Sequence, residues 1–458
     1  MKDMLKSIVA GAKADYAEIR VEDSRLTQIS YKGKTLENIS ESADSGGCVR
    51  ALVRGGWGFV SFNRLDELER KMNQAVEQAT LISHHVDGGT KLAPVARVQD
   101  RVVVSPKMDP RKVSLKEKKE ILEGYNDIVL SYNSRINTSV INYFDKFSRI
   151  TLVTSEGTCI EQEKLDLGGG VVAVANDGGE TQMGRFSFGS SDDFGVLLGK
   201  EEKVKQACRT AVDMLDAGSV KGGEYTAIVD PLLAGVFAHE AFGHLSEGDN
   251  VYEDANLQKL MQLGETYGSD ILNIYDTGRD TGYRGYLKYD DEGVPTEKTY
   301  LIRKGKLVGR LHSRETAGVM GEKPTGNARA ISYRFAPICR MRNTCIECGE
   351  ASFEDMLKDI KLGVYAKDSY GGQTSGEMFT FSAGEAYMIR EGKIAELVKN
   401  VTLSGNVFHT LRNIDMIGND FKVEDSGGGC GKGGQMPLPV SHGSPHIRIR
   451  KVIVGGRK

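Results

Sequence analysis

His239, Glu240 and His244 form the string HEAFGH at the end of an apolar run, residues 232–237, with Gly243 just before the second histidine. Two imidazoles and a carboxylate can hold a metal and move a proton beside it. The spacing is not that of the common H-E-x-x-H zinc helix, whose histidines stand four apart on one face. At about 100° per residue, side chains five apart point about 140° from one another around a regular α-helix. The helix is therefore expected to bend, stop or widen here. A π-turn, hydrogen-bonded from i to i+5, would bring both rings back to one face, and such turns favour functional sites. Gly243 makes a wider turn or a helix end sterically accessible.

A carboxylate beside an apolar run costs several kcal/mol unless something pairs with it, and a zinc ion would supply that partner for Glu240. A catalytic zinc takes three protein ligands and keeps a fourth position open, so a third ligand must come from elsewhere. Cys430, in SGGGCGKGGQ, has glycines on both sides that free the backbone to bring a thiolate close to another element. The alternatives are an incidental cysteine in a glycine loop and a buried helix that happens to carry two histidines. Gly429, Gly431 and Gly434 satisfy G-x-G-x-x-G without the strand–turn–helix context of a dinucleotide site. A P-loop around Lys432 fails because Ser426 replaces its first glycine and Gly433 its Ser or Thr. Cys339, Cys345 and Cys348 include a C-x-x-C pair but no clear fourth ligand, His312 being the nearest histidine, and read as thiols. His84 and His85 fit a helix end; His409, His442 and His446 carry no assignment.

The elements that must position these groups divide into two parts. Residues 4–14 predict a short helix, and 16–21 alternate as a half-buried strand. Segments 26–31 and 35–39, then 48–53 and 58–62, flank glycine-bearing turns and predict two hairpins. Apolar residues at helical spacing predict a helix over 65–82, followed by an extended connection over 85–110 with three prolines, Gly88 and Gly89. Ser114 and Glu117 have the spacing of a capping box for a helix over 114–132. Strands are expected over 137–174, a helix over 200–215, and a boundary at 218–223. Beyond it a strand, 225–229, leads through Pro231 into the histidine segment. The patterns LIRKGKLV at 301–308 and MIREGKIA at 388–395 each predict a hairpin. The expected architecture is α+β in two domains: an N-terminal mixed α/β domain, 1–220, and a predominantly β C-terminal domain, 221–458, carrying the metal-site helix.

Composition narrows the function classes. The chain has 458 residues, enough for a large core, with 60 Lys and Arg against 63 Asp and Glu and a formal charge of -3. No basic footprint for nucleic acid stands out. No apolar run approaches the roughly 18 residues that span a bilayer. Residues 1–14 lack the apolar centre and cleavage site of a secretory signal, which makes the cytoplasm the expected compartment. Seven scattered cysteines do not form a disulfide framework.

At these residues the chain closely resembles the TldD/PmbA family of metallopeptidases, in its motif-bearing TldD-type branch. HEAFGH is followed by LSEGD at 245–249, YDDEGVP at 289–295, TGNAR at 325–329, RMRNT at 340–344 and GGGCGKGGQ at 427–435, and GGWGF at 55–59 resembles the family's N-terminal domain. The resemblance implies one zinc ion held by His239, His244 and Cys430, with Glu240 as general base in the hydrolysis of unfolded or small peptides. It implies two domains around a tunnel in which an extended peptide is held as an added strand, a mode indifferent to most sequence. A PmbA/TldE-type partner subunit, or a second copy of the chain, would help close it. Where family members usually carry a bulky residue and a proline, this chain has Cys345 and Cys348. A thiolate ligand donates more charge than imidazole, so the expected peptidase is a modest one, dependent on substrate positioning. The competing reading is a non-hydrolytic peptide-binding or regulatory subunit, against which the intact Glu240 argues.

Overall fold

The computed structural model describes residues 1–86, 89–424 and 428–455; Gly88, Ser426 and Gly427, noted above, lie outside the described residues. Helix α1 (Lys2–Gly11) leads into β1 (Tyr16–Lys32), β2 (Thr35–Val53) and β3 (Gly56–Phe62), followed by α2 (Leu68–Ser83). The short β4 (Gln99–Val102) precedes α3 (Leu115–Tyr132), β5 (Ile136–Thr154), β6 (Cys159–Asn176), β7 (Thr181–Ser190) and α4 (Glu201–Asp216). The strands form one sheet in the order β3-β2-β1-β5-β6-β4, with β7 also on β6. Only β4 runs parallel to its neighbour.

Both predicted hairpins form, but their strands are longer than expected. The segments 16–21 and 26–31 belong to a single strand, as do 35–39 and 48–53. The polar stretches between them break the apolar alternation, yet the backbone ladder runs through from Tyr16↔Leu52 to Lys32↔Thr35. Helix α1 stops at Gly11, and α2 starts at Leu68 because Glu67 adopts φ +58, outside the helical region. Helix α3 carries the full capping box between Ser114 and Glu117. Leu5, Met72 and Ala75 pack with Ile19 and Val49 near one end of β1, while Leu122, Val129 and Val204 pack with Ile29 and Ile141 near the other. Each such buried aliphatic contributes about 1.5–3 kcal/mol relative to exposure.

The second half contains an eight-stranded and a six-stranded sheet. Strand Gly223–Val229 lies between Leu362–Ser375, parallel to it, and Ile447–Gly455, antiparallel. Ile274–Thr277, Asn343–Ile346 and Ser441–Ser444 are consecutive in the six-stranded sheet, the last two pairing in parallel. Helix α5 (Pro231–Phe237) packs against Leu362–Ser375 of one sheet and Ser441–Ser444 of the other. Phe237 meets Phe379 and Phe381 with ring centroids 5.2 and 6.0 Å apart. The predicted hairpins over 301–308 and 388–395 both form. The chain is mixed α+β.

Buried charge joins the halves. In the YDDEGVP segment, Asp291 meets Arg20 at 3.5 Å and Lys164 at 3.2 Å, and Glu292 meets Arg50 at 3.0 Å. Arg50 also binds Glu18 at 2.7 Å. Asp290 turns inward, accepting from the Glu292 and Val294 amides at 2.9 and 2.8 Å. Among the described residues no helix is long and apolar enough to cross a membrane.

Candidate metal centre

The apolar run forms a helix because Asp230 caps it, accepting from the Leu233 amide at 2.9 Å, and Pro231 occupies the first turn, where it is tolerated. After Phe237 the chain widens into a π-turn, Ala238–Gly243, with the His244 amide bonded to the His239 carbonyl, five residues back. A 3₁₀ turn, His244–Ser246, follows. The five-residue spacing is thus resolved by widening: the His239 and His244 rings stand 5.3 Å apart, nearly perpendicular. Gly243 is required by close approach. A Cβ there would lie 2.0 Å from Sδ of the buried Met341.

Cys430 arrives on a hairpin, not on an irregular loop. Cys430–Lys432 pairs with Gln435–Leu438 across Gly433 and Gly434, whose φ angles of +57° and +74° suit a two-residue turn. Arg340, fully buried, donates to the Cys430 and Gln435 carbonyls at 2.8 and 3.1 Å and fixes the hairpin. One donor atom each from His239, His244 and Cys430 lies within 4.8 Å of the others, and Cys430 Sγ is 3.5 Å from His244 Nε2.

Electrostatics favours the metal-binding form at His239 and Cys430, whereas Glu247 and Cys430, outweighing burial, raise His244, whose proton a metal would displace. Burial pushes the His239 imidazole down to about 4, so it is neutral at pH 7. Among the described residues, both its ring nitrogens are buried without a hydrogen-bond partner. An orphaned polar atom of this kind costs about 1–3 kcal/mol, which a metal on that nitrogen would offset. Burial alone would raise the Cys430 thiol, but the bond to His244 holds it below its ordinary value. The set is two imidazoles and a thiolate, the ligand number of a catalytic zinc site with one open position. These residues fit the metal that the sequence calls for.

Glu240 corrects one step of the sequence argument. Its side chain is 29% exposed, with Oε2 3.8 Å from His244 Nε2, so it does not need a metal to compensate burial. The group in need is His239. A partly open carboxylate at the rim can exchange protons with solvent.

Three residues essential to this arrangement escaped sequence reasoning. Glu247, fully buried, accepts from His244 Nδ1 at 3.0 Å, leaving Nε2 to face Cys430. This carboxylate–histidine pairing is how proteins orient a metal-binding imidazole. Lys432 holds Glu247 at 3.0 Å and Asp249 at 2.5 Å. His244 first and this ammonium second balance the Glu247 charge, and Glu247 sits at about 2 despite its burial. His442 packs its ring 4.9 Å from that of His239. An acid three residues after His244 was the available signal for Glu247; Lys432 and His442 come from far along the chain. The other cysteines do not converge: Cys339 faces the Leu311 carbonyl, Cys345 is buried and Cys348 exposed. His84 stands at the end of α2.

Comparison with known proteins shows the family. Residues 222–456 match the PmbA/TldA metallopeptidase C-terminal domain, 17–80 its domain 1 and 109–215 its central domain. The chain is 47% identical over 447 residues to a metalloprotease of Synechocystis, covering 97% of this chain and 96% of the relative. It is 31% identical over 460 residues to a zinc metalloprotease TldD homolog of Saccharolobus solfataricus, covering 97% of each. Among solved structures, TldE of Thermococcus kodakarensis shares the fold, with a TM-score of 0.76, 18% identity and 99% of each chain covered.

Proposed function

Because the chain belongs to the PmbA/TldD family of metallopeptidases, we propose that it is a zinc-dependent peptidase acting on unfolded or small peptides. The observation that carries this reading is the buried, unpartnered His239 imidazole, converging with His244 and Cys430 beside a solvent-reaching Glu240. When bound by these three residues, zinc supplies Lewis-acid polarisation of a carbonyl and a lowered pKa for water. Glu240 takes the proton of the attacking water and returns it to the leaving amine. Glu247 orients His244 so that Nε2 faces inward, and His244 together with Lys432 keeps Glu247 ionised. A TldE-type partner subunit or a second copy of the chain completes the peptide enclosure, and the cytoplasm is the compartment that suits seven unpaired cysteines.

The test is mass spectrometry of a mixture of unfolded peptides incubated with the zinc-loaded chain and with its Glu240→Gln variant, each with and without a TldE-type subunit. Cleavage by the wild type alone supports the reading. No cleavage by either, with zinc bound and the partner present, leaves the non-hydrolytic binding role.

A further inference from the structure

Where β1, β5 and β6 face the second half of the chain lies a cavity of about 370 Å³ that the mechanism above does not use. Its walls are apolar at Phe144, Ile150, Leu287 and Leu438, yet it is lined by five basic side chains against three carboxylates. Arg284 is matched to Asp166 at 2.6 Å and Lys146 to Glu22 at 3.3 Å. Among the described residues Asp291 is the carboxylate within ion-pair distance of both Arg20 and Lys164, with Glu22 supporting both from farther away. Arg329, among the described residues, meets no carboxylate: its guanidinium donates to the carbonyls of Met341 and Pro439 at 2.5 and 2.7 Å. Nε of Arg20, a residue only 1% exposed, has no hydrogen-bond partner. Burial pushes Arg329 down to about 9 and lowers Lys164. Positive charge held in a partly apolar cavity without enough counter-charge is costly unless an anion joins it.

The cavity adjoins the metal centre. Leu438 is the strand partner of Cys430, so the wall lies one strand spacing, about 4.8 Å, from the cysteine's backbone. Arg284 also donates to the Gly428 carbonyl, two residues before Cys430. An extended peptide, advancing about 3.3 Å per residue, reaches from one place to the other within a few residues.

We propose that this cavity is a substrate subsite for a carboxylate on an apolar stem, supplied by the carboxy terminus of a peptide or by an acidic side chain near it. The assignment rests on the peptidase reading and adds a preference to it. Backbone pairing is indifferent to side chains; the cavity is not.

The test uses the zinc-loaded full-length Glu240→Gln chain, with a TldE-type subunit present, and fluorescence anisotropy with three labelled apolar hexapeptides: one with a free carboxy terminus, its amide, and the amide with a penultimate Glu. At least one carboxylate-bearing peptide is expected to bind about tenfold more tightly than the plain amide, as charge-assisted bonding to arginine and lysine dictates. Tighter binding of the free acid alone identifies the terminus; equal gain by the Glu peptide identifies the side chain. Lys164→Gln and Lys146→Gln, at partly exposed positions, are expected to shrink that preference with little change for the amide. Equal affinity for all three peptides, or a preference untouched by both variants, overturns the assignment. If the unfolded mixture is cleaved while the three peptides bind equally, only the cavity proposal falls. If no peptide is bound or cleaved, the peptidase reading falls and takes it along.

Discussion

Glu247 offers the sharpest test of how the centre is built. Its Oε2 receives three donors: His244 Nδ1 at 3.0 Å, Lys432 Nζ at 3.0 Å and Asn250 Nδ2 at 3.3 Å. Among the described residues its Oε1 receives only the Met341 amide, at 3.3 Å. A glutamine can keep its oxygen where three donors converge, at the cost of setting its NH₂ against the Met341 N–H, two donors that cannot bond to each other. Glu247→Gln thus preserves the orientation of His244 but removes the charge that raises its basicity. Glu247→Ala removes both. Substitutions behind a metal-binding histidine cost about 10- to 100-fold in metal affinity, roughly 1.4–2.7 kcal/mol. The glutamine is expected near the lower figure and the alanine near the upper one. Competition with a chromophoric chelator on metal-stripped protein at pH 7.5 measures both, with circular dichroism to show that each variant folds. Asp249→Asn, which meets Lys432 but not His244, is the control and should stay within about threefold of wild type. Zinc affinities of Glu247→Gln and Glu247→Ala both within threefold of wild type would refute the reasoning.

Three further outcomes follow from the geometry. Gly243→Ala drives a methyl into the buried Met341 thioether and should cost about 1–3 kcal/mol in urea unfolding of the metal-free chain; an unchanged midpoint would count against the close approach. Stripping the metal should lower Tm, and zinc at 100 times its Kd should restore about 2.7 kcal/mol in wild type but little in Cys430→Ser, read by thermal melts. Lys164 and Arg20 hold the Asp291 carboxyl well below the usual carboxylate range, although burial alone would raise it. Its contribution is therefore complete at neutral pH and is lost as pH falls below the ordinary value near 3.8 towards its depressed folded value. Denaturant unfolding between pH 7 and 3 should show a shallower acid decline for Asp291→Asn; parallel declines would dismiss the pairing as a stability determinant.

What was legible in the sequence was local. Turn glycines, the Ser114 capping box and the helical spacing of α2 each declare themselves within a few residues. So did the need for the helix to bend, stop or widen at HEAFGH, because five-residue spacing is incompatible with one face of an α-helix. The continuity of β1 and β2 was not legible: residues such as Glu22 and Asp23 look like breaks until the partner strands supply the ladder. The glycines around Cys430 read as loop because composition does not distinguish a flexible segment from a hairpin with two left-handed turn residues. Lys432 reaches Glu247 across 185 positions, and His442 reaches His239 through a strand paired in parallel with 343–346. Such contacts belong to topology. The family resemblance supplied the Cys430 assignment, but not the buried carboxylate and ammonium behind His244.

The segment 340–342 explains why the centre holds its shape. A π-turn sacrifices regular helical bonding and persists only where its surroundings over-determine it. Here Ser246 Oγ donates to the Phe242 carbonyl at 2.9 Å and Asn250 Nδ2 to that of His244 at 2.8 Å. Met341 then fills the space that a side chain at position 243 would take, while its own amide binds Glu247. The preceding residue, Arg340, grips the hairpin of Cys430, and the following one, Arg342, donates to the Gly326 carbonyl at 2.7 Å. Arg340 and Met341 therefore set the widened turn, the carboxylate behind one histidine and the approach of the thiolate, and Arg342 ties them to the 325–329 segment. Displacing that segment would move all three candidate ligands relative to one another. This accounts for a buried arginine at position 340: its hydrogen-bond partners are carbonyls, what it positions is the strand on which Cys430 stands, and its charge helps hold that thiol below its ordinary value.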